Sequence, residues 1–238
     1  MKKVVKTLAI VLAGTLTLAS CGENLLSEIT GSAEITISDA KGGSYYAPNG
    51  PADKTVKFSS AVTDAINESF DDPDMPSVIY GTIVLGANIS LTESDAKLAS
   101  PFLGIMTSDT TEGDFNITTV LTNELLPSFD VNSFLATPSN HTFVAMAVSD
   151  TSWYVSHSGV VQITEFPEYN KKASGKLNNV LAYYMTASEL ERAVNDIESG
   201  VIEGNFNPDE YFHPVTMNGT FDCRRIGMKK FIDQLKSR

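Results

Sequence analysis

A mainly β fold, an antiparallel β-sandwich or open barrel carrying one inserted amphipathic helix and a short C-terminal helix, is what this sequence predicts. Three observations predict it. From Ser32 onward apolar residues recur with a period of two, clusters of Gly, Pro, Asn and Asp cut the chain into short pieces, and only two stretches change to helical spacing. With 42% hydrophobic and 19% charged residues over 238 positions, the chain can bury a proper core without disulfides.

The first element is a targeting segment. Lys2 and Lys3 start it, Val4 to Leu18 is apolar apart from Lys6 and small residues, and small residues lead into Cys21. Such a run is a secretory signal and too short for a membrane span. Leu18-Ala19-Ser20-Cys21 resembles the lipobox of bacterial lipoproteins. The resemblance implies that the Cys21 thiol receives a diacylglyceryl group, that cleavage falls before it, and that the new amine is acylated, so labelled palmitate should enter there. Two or three acyl chains at roughly 0.8 kcal/mol per buried methylene make such an anchor permanent.

The expected organisation is therefore a signal at residues 1–20, a lipidated tether at 21–31, a β domain at 32–227 with a helix inserted at 187–199, and a basic amphipathic helix at 228–238. Loss of Lys2, Lys3 and Lys6 turns 29 acids against 17 bases into 29 against 14, so a formal charge of −12 becomes −15. Nucleic acid is excluded as a partner, because a phosphate backbone needs a basic footprint. Membrane lipid, through Cys21, is the partner the sequence names.

Within the β domain Glu34 to Ile37 reads as a short strand, followed by turn-rich Asp39 to Asp53; Val56 and Phe58 open another. Tyr80 to Leu91 alternates Ile83, Leu85, Ala87, Ile89 and Leu91 against polar neighbours, which indicates one dry and one wet sheet face. Further strands are expected at Phe102 to Met106, Asp114 to Thr118, Thr142 to Val148, Trp153 to Ser156, Gly159 to Phe166, Gly175 to Tyr183 and Val215 to Arg225. His157-Ser158-Gly159 and Glu168 to Ser174 read as hairpin turns. Thr186-Ala187-Ser188-Glu189 is a capping box, and Leu190, Ala193, Val194 and Ile197 follow at helical spacing up to Gly200. Met228, Phe231, Ile232 and Leu235 form the apolar side of the last helix, amid Lys229, Lys230, Lys236 and Arg238. That helix could lie on an anionic membrane; docking on its own acidic domain is the preferred reading.

Catalytic chemistry finds little support. His141, His157 and His213 are the three histidines, read as polar loop residues, and none has a nucleophile elbow or partner motif beside it. No cofactor or metal motif occurs. Asp71, Asp72 and Asp74, then Asp109, Glu112 and Asp114, then Asn205, Asn207, Asp209 and Glu210 are the oxygen-rich clusters. The last begins like an EF-hand but has Glu210 where glycine is needed and Thr216 where the closing glutamate belongs. Cys223, left without a partner, reads as a structural thiol on the face of Val215, Met217 and Phe221. The aromatic pairs Trp153-Tyr154 and Tyr183-Tyr184 are the ligand-binding candidates, since flat rings on a sheet face can hold a pyranose. One of each adjacent pair must point into the core, and Trp153 reads as the core member.

Ser158 to Glu165, Lys172 to Leu177 and Met217 to Asp222, together with the lipobox, resemble uncharacterised β-sandwich lipoproteins of Bacteroides-type bacteria. The resemblance covers roughly the last third of the mature chain and departs at the inserted helix and the basic tail. It implies the sandwich fold and carries no activity. The expectation is a lipid-anchored, non-catalytic binding module of the bacterial envelope, at the periplasmic or surface face of the outer membrane, with glycan or an envelope protein as ligand. A structural or assembly component of an envelope complex or surface fibre is the alternative.

Overall fold

Period-two patterning becomes ten strands and helical spacing one helix. The computed structural model describes residues 31–40, 55–58, 60–68, 78–91, 96–109, 111–127, 141–149, 151–165, 172–202 and 204–224, with backbone alone at 31–32, 55–58, 60–68, 78–91, 96–102, 172–173 and 223–224. The expected signal at 1–20, Cys21, the expected tether up to residue 30, the acidic run 71–74 and the helix expected at 228–238 lie outside the described residues, as does the Cys223 side chain.

The strands are β1 (Gly31–Asp39), β2 (Thr55–Phe58), β3 (Ser60–Glu68), β4 (Val78–Leu91), β5 (Ala96–Thr107), β6 (Gly113–Ile117), β7 (His141–Ser149), β8 (Ser152–Glu165), β9 (Lys172–Thr186) and β10 (His213–Arg224). They form one sheet in the order β2-β1-β10-β9-β8-β6-β7-β5-β4-β3. Every pairing is antiparallel except a two-residue parallel contact in which Asn116 and Ile117 of β6 meet His141 and Thr142 of β7. The long β8 serves two neighbours, β7 along its first half and β6 along its second. The sheet is open but curled: β3 comes within 8 Å of β10 and β1, and β4 within 8 Å of β1 and β2. The mainly β expectation holds, built on one continuous ladder.

Two differences from the expected strands have local causes. No hairpin forms at His157-Ser158-Gly159; β8 runs straight through, and the turn-like residues make a bulge. Between Ser156 and Ser158 the extra residue lies on β8, and between Ser158 and Val160 it lies on β9 at Asn178-Asn179. Gly159 takes φ +121° and Asn179 takes φ +46°, conformations that fit a bulge as well as a turn. Similarly, β5 begins at Ala96 rather than Phe102, because Ser100 and Pro101 sit in a bulge between the Ala99–Asn88 and Phe102–Gly86 pairs. A proline cannot donate to a ladder, and a bulge is where a sheet can hold one.

The bulges keep two faces consistent. On β8 the inner-core side chain is Tyr154 before the bulge but Val161 and Ile163 after it; on β9 it is Tyr184, Ala182 and Val180 on one side and Leu177 on the other. Odd and even positions thus exchange faces at the same level of both strands, and both halves still point into one core with Ile35, Ile37, Leu103, Ile105, Phe115, Met146, Val215, Met217 and Phe221.

The outer face carries a second core over half of its length. Met106, Phe143, Ala145, Ala147, Trp153, Val155, Tyr183 and Met185 are covered there by Val120, Leu121, Leu126, Phe206, Phe212 and the helix α1 (Ala187–Glu198). Helix α1 starts as expected: the Thr186 hydroxyl accepts from the Glu189 N–H, and the Glu189 carboxylate accepts from the Thr186 N–H at 2.8 Å. Leu190, Ala193 and Val194 are its buried stripe. Roofed on both faces, residues 141–148 of β7 are buried without interruption. Past the bulge the outer face is wet, with Thr164, Glu165 and Asn178 exposed. No helix among the described residues is long and apolar enough to cross a membrane.

Gly159→Ala should lose about 1–3 kcal/mol of stability, because an added Cβ would sit 2.8 Å from the Asn179 carbonyl oxygen and the Val180 Cα as well as requiring a left-handed φ. Gly113→Ala, where φ is +143° but nothing lies within 4 Å, should cost less. Chemical denaturation of the two variants measures the difference.

Candidate functional site

The four aromatic candidates are interior. Trp153 is 3% exposed, Tyr154 2%, and Tyr183 and Tyr184 4% each. Tyr154 and Tyr184 face each other across β8 and β9 in the inner core, ring centroids 5.3 Å apart, while Trp153 and Tyr183 lie in the outer core. One ring of each pair in the core was the expectation; the other ring is buried as well, because α1 and the segments before β7 and β10 roof the outer face. The rings therefore offer no open platform for a sugar.

What the structure does assemble is a polar group at the edge of that roof. His157, pushed out of the regular alternation by the bulge, places Nδ1 2.8 Å from the Thr119 hydroxyl oxygen. That oxygen also accepts from the Leu121 N–H at 3.1 Å, and a hydroxyl with a second lone pair and one proton can pair with either tautomer of the imidazole. The His157 ring meets Tyr183 edge-on at 5.4 Å, and the Tyr183 hydroxyl donates to Asp209 Oδ1 at 3.0 Å. Burial pushes the His157 pKa below its ordinary value, and the Asp209 charge opposes the shift. Burial, then the hydrogen bond and charge of Asp209, push Tyr183 up to about 12.

Each partner comes from a different element. Thr119 belongs to the covering segment after β6, His157 to β8, Tyr183 to β9, and Asp209 to the short 3-10 turn Pro208–Glu210. Asn207 caps that turn by accepting from the Asp209 N–H and donates to Glu210 at 2.9 Å. Of the oxygens that resembled an EF-hand opening, those of Asn207, Asp209 and Glu210 are thus used in building the turn and holding Tyr183. Asp114 accepts from Gln162 at 2.8 Å and Asp109 from Thr111 at 3.3 Å. Among the described residues no three His, Cys, Asp or Glu side chains gather in a way that could hold a metal.

The other histidines also lie in strands rather than loops. His141 opens β7 and is 2% exposed. His213 opens β10, and its Nε2 lies 2.9 Å from Asp39 at the end of β1. A second tie holds the roof: the Tyr211 hydroxyl donates to Asp196 of α1 at 2.9 Å, with the Arg192 guanidinium 5.1 Å from the Tyr211 ring centre. The Thr119–His157–Tyr183–Asp209 arrangement lacks the wiring of a catalytic relay, since the carboxylate orients the tyrosine rather than the imidazole. Chemically it can carry a proton and fasten two covering segments to the sheet. Sequence reasoning found His157, Tyr183 and Asp209 singly and missed their association, because 38 residues separate His157 from Thr119 and 26 separate Tyr183 from Asp209. No protein family, curated protein or solved structure matches the chain.

Trp153 is the single tryptophan, so its emission should be blue-shifted, resistant to iodide quenching and unmoved by added sugars. Trp153→Ala should cost about 3–5 kcal/mol as a core truncation. A quenchable, sugar-sensitive tryptophan would restore it as a ligand contact.

The lowered His157 pKa has a definite sign. Above the unfolded-state value of about 6.5 both states hold neutral imidazole, whereas below it the unfolded chain protonates first. Stability contributed by neutral His157 is therefore complete above that value and is lost as pH falls through the lower folded-state pKa. Thermal melts of the parent chain and His157→Gln should show an acid-side slope that the variant flattens. In Asp209→Asn, ultraviolet titration should show the Tyr183 pKa falling only part of the way to its ordinary value, since burial remains.

Proposed function

We propose that the chain is a lipid-anchored, extracytoplasmic module of the bacterial envelope, held in the outer membrane through Cys21, that works by binding rather than by catalysis. The lipobox residues Leu18 to Cys21 support the anchor. In this reading the domain stays near the membrane: β1 begins at Gly31, ten residues past Cys21, so the first strand lies within about 36 Å of the acyl chains even on a fully extended tether. Polar groups committed to structural bonds, Asp209 to Tyr183 and Asp196 to Tyr211, are what a non-catalytic module would contain.

With Trp153, Tyr154, Tyr183 and Tyr184 in the core, a glycan or an envelope protein would be met by loops and strand edges rather than by those rings. In this proposal the curled sheet acts as an open barrel or sandwich whose overlapping ends present β2 and β3 as its edges. Those edges favour the second reading, an assembly component of an envelope complex or surface fibre. Among the described residues no strand pairs beyond either of them, and an edge strand is a template for a strand from another chain.

Labelled palmitate supplied to the producing bacterium should enter the parent chain and not Cys21→Ala; labelling of the variant would overturn the anchor. Glycan and cation binding screens on the parent chain test the ligand. Envelope cross-linking that traps another subunit at β2 or β3, with every glycan silent, would decide for assembly.

A further inference from the structure

The outer core is roofed by α1, by Phe206 and Phe212, and by the segment 118–127, which contains neither helix nor strand. Little of that segment is held by its backbone. Among the described residues the Thr118 N–H reaches the Thr142 carbonyl of β7 at 3.0 Å, while the Leu126 N–H stays within the segment, on Thr122. Side chains hold the rest: Val120, Leu121 and Leu126 are buried in the outer core, Asn123 donates to the Gly204 carbonyl at 2.5 Å, and Thr119 meets His157 of β8. Asn123 Oδ1 is buried with no hydrogen-bond partner among the described residues, a cost that lifting the segment removes. The inner core lies on the opposite face of the sheet and takes no side chain from residues 118–127. Beyond Thr118 the segment can therefore rise without breaking a strand pairing.

We propose that residues 119–127 are an acid-opened lid, closed over the outer core while His157 is neutral and lifted when His157 takes up a proton. Neither the anchor nor a ligand is needed for it. Facing the imidazole are the Thr119 hydroxyl from the lid, the Tyr183 ring from β9 and the Asp209 carboxylate from the 3-10 turn before β10. Tyr183 stays neutral up to about 12, and Asp209 is the charge that acts on His157 among the described residues. The bond to Thr119 outlasts protonation, since the hydroxyl oxygen can accept from Nδ1–H as well as from the Leu121 N–H. What the closed lid withholds from an imidazolium is water. That loss outweighs the attraction of Asp209, so the folded pKa lies below its ordinary value. Lifting the lid hydrates the ring, the open form then binds the proton more tightly than the closed one, and acid favours opening. Neutral His157 contributes its full hold above about pH 6.5, and the hold is lost as pH falls through the lower folded value. One proton can raise the open-to-closed ratio by at most about tenfold per pH unit.

Hydrogen–deuterium exchange on the parent chain tests this, with amide protection corrected for the intrinsic effect of pH on exchange. From about pH 7.5 to about pH 5, protection at Leu121 and Leu126 should fall by about threefold or more, while the strand amides of β8 and β9 keep theirs. His157→Gln, which has no titrating ring, should show no such fall. Asp209→Asn leaves an oxygen for the Tyr183 hydroxyl but removes the charge that favours the imidazolium, so its fall should exceed that of the parent. The second variant gives a result of definite sign even where His157→Gln does not fold. Protection unchanged by pH in the parent, an equal fall in His157→Gln, or a smaller fall in Asp209→Asn would overturn the lid. So would loss of protection in β8 and β9 in step with Leu121, since acid would then be unfolding the whole domain.

Discussion

The pairing of β8 with β9, and the irregularity at its middle, is the constraint on which the rest of the structure depends. These strands are 14 and 15 residues long, and their core residues change parity at mid-length, from Tyr154 to Val161 and Ile163 and from Ala182 and Tyr184 to Leu177, so both ends face one interior only if the alternation is reset. The reset occurs at His157–Gly159 and Asn178–Asn179, fastened by the Asn179 N–H donating to the Asn218 side chain at 2.8 Å. Val161, Ile163 and Leu177 consequently share an interior with Tyr154, Ala182 and Tyr184. Bulges also bend the strands that carry them, and a curled sheet can enclose one inner core where a flat one could not.

The same level of the sheet divides its outer face. On one side of the bulge, apolar side chains from β5, β7, β8 and β9 meet α1 and two covering segments; on the other, Thr164, Glu165 and Asn178 face water. His157 stands at the boundary, and its bond to Thr119 joins the roof to the sheet where the apolar layer ends. A half-buried imidazole and a buried phenol are affordable there because each finds a partner, and unpaired they would cost about 1–3 kcal/mol apiece. Val144 N–H to the Ser156 hydroxyl and the Thr142 hydroxyl to the Met106 carbonyl show the same rule deeper inside, at 2.9 and 2.7 Å. Rigidity of this kind suits a scaffold, with loops and edges left to vary.

Antiparallel pairing of the first and last strands sets Gly31 opposite Cys223, and the next pairing sets Arg224 opposite Lys172.

What the sequence by itself determined was the period of each element and the start of its helix. Period two marked nearly every strand, and the Thr186 to Glu189 capping box placed α1 to within a residue. Chemistry that depends on neighbours in space was not legible. His157-Ser158-Gly159 carries the same residues whether a chain reverses or bulges, and only the pairing of Ser156 with Ala182 and of Val160 with Asn178 decides for the bulge. Trp153 and Tyr183 alternate with Tyr154 and Tyr184 as a half-exposed sheet would, and burial of all four followed from a roof contributed by residues 119–126 and 187–212. The near-continuous run Phe143 to Val148 was the one visible sign that a strand is covered on both faces. The association of Thr119, His157, Tyr183 and Asp209 had no sign, because hydrogen bonds between distant segments leave no periodicity in the chain; the fold alone brought them together.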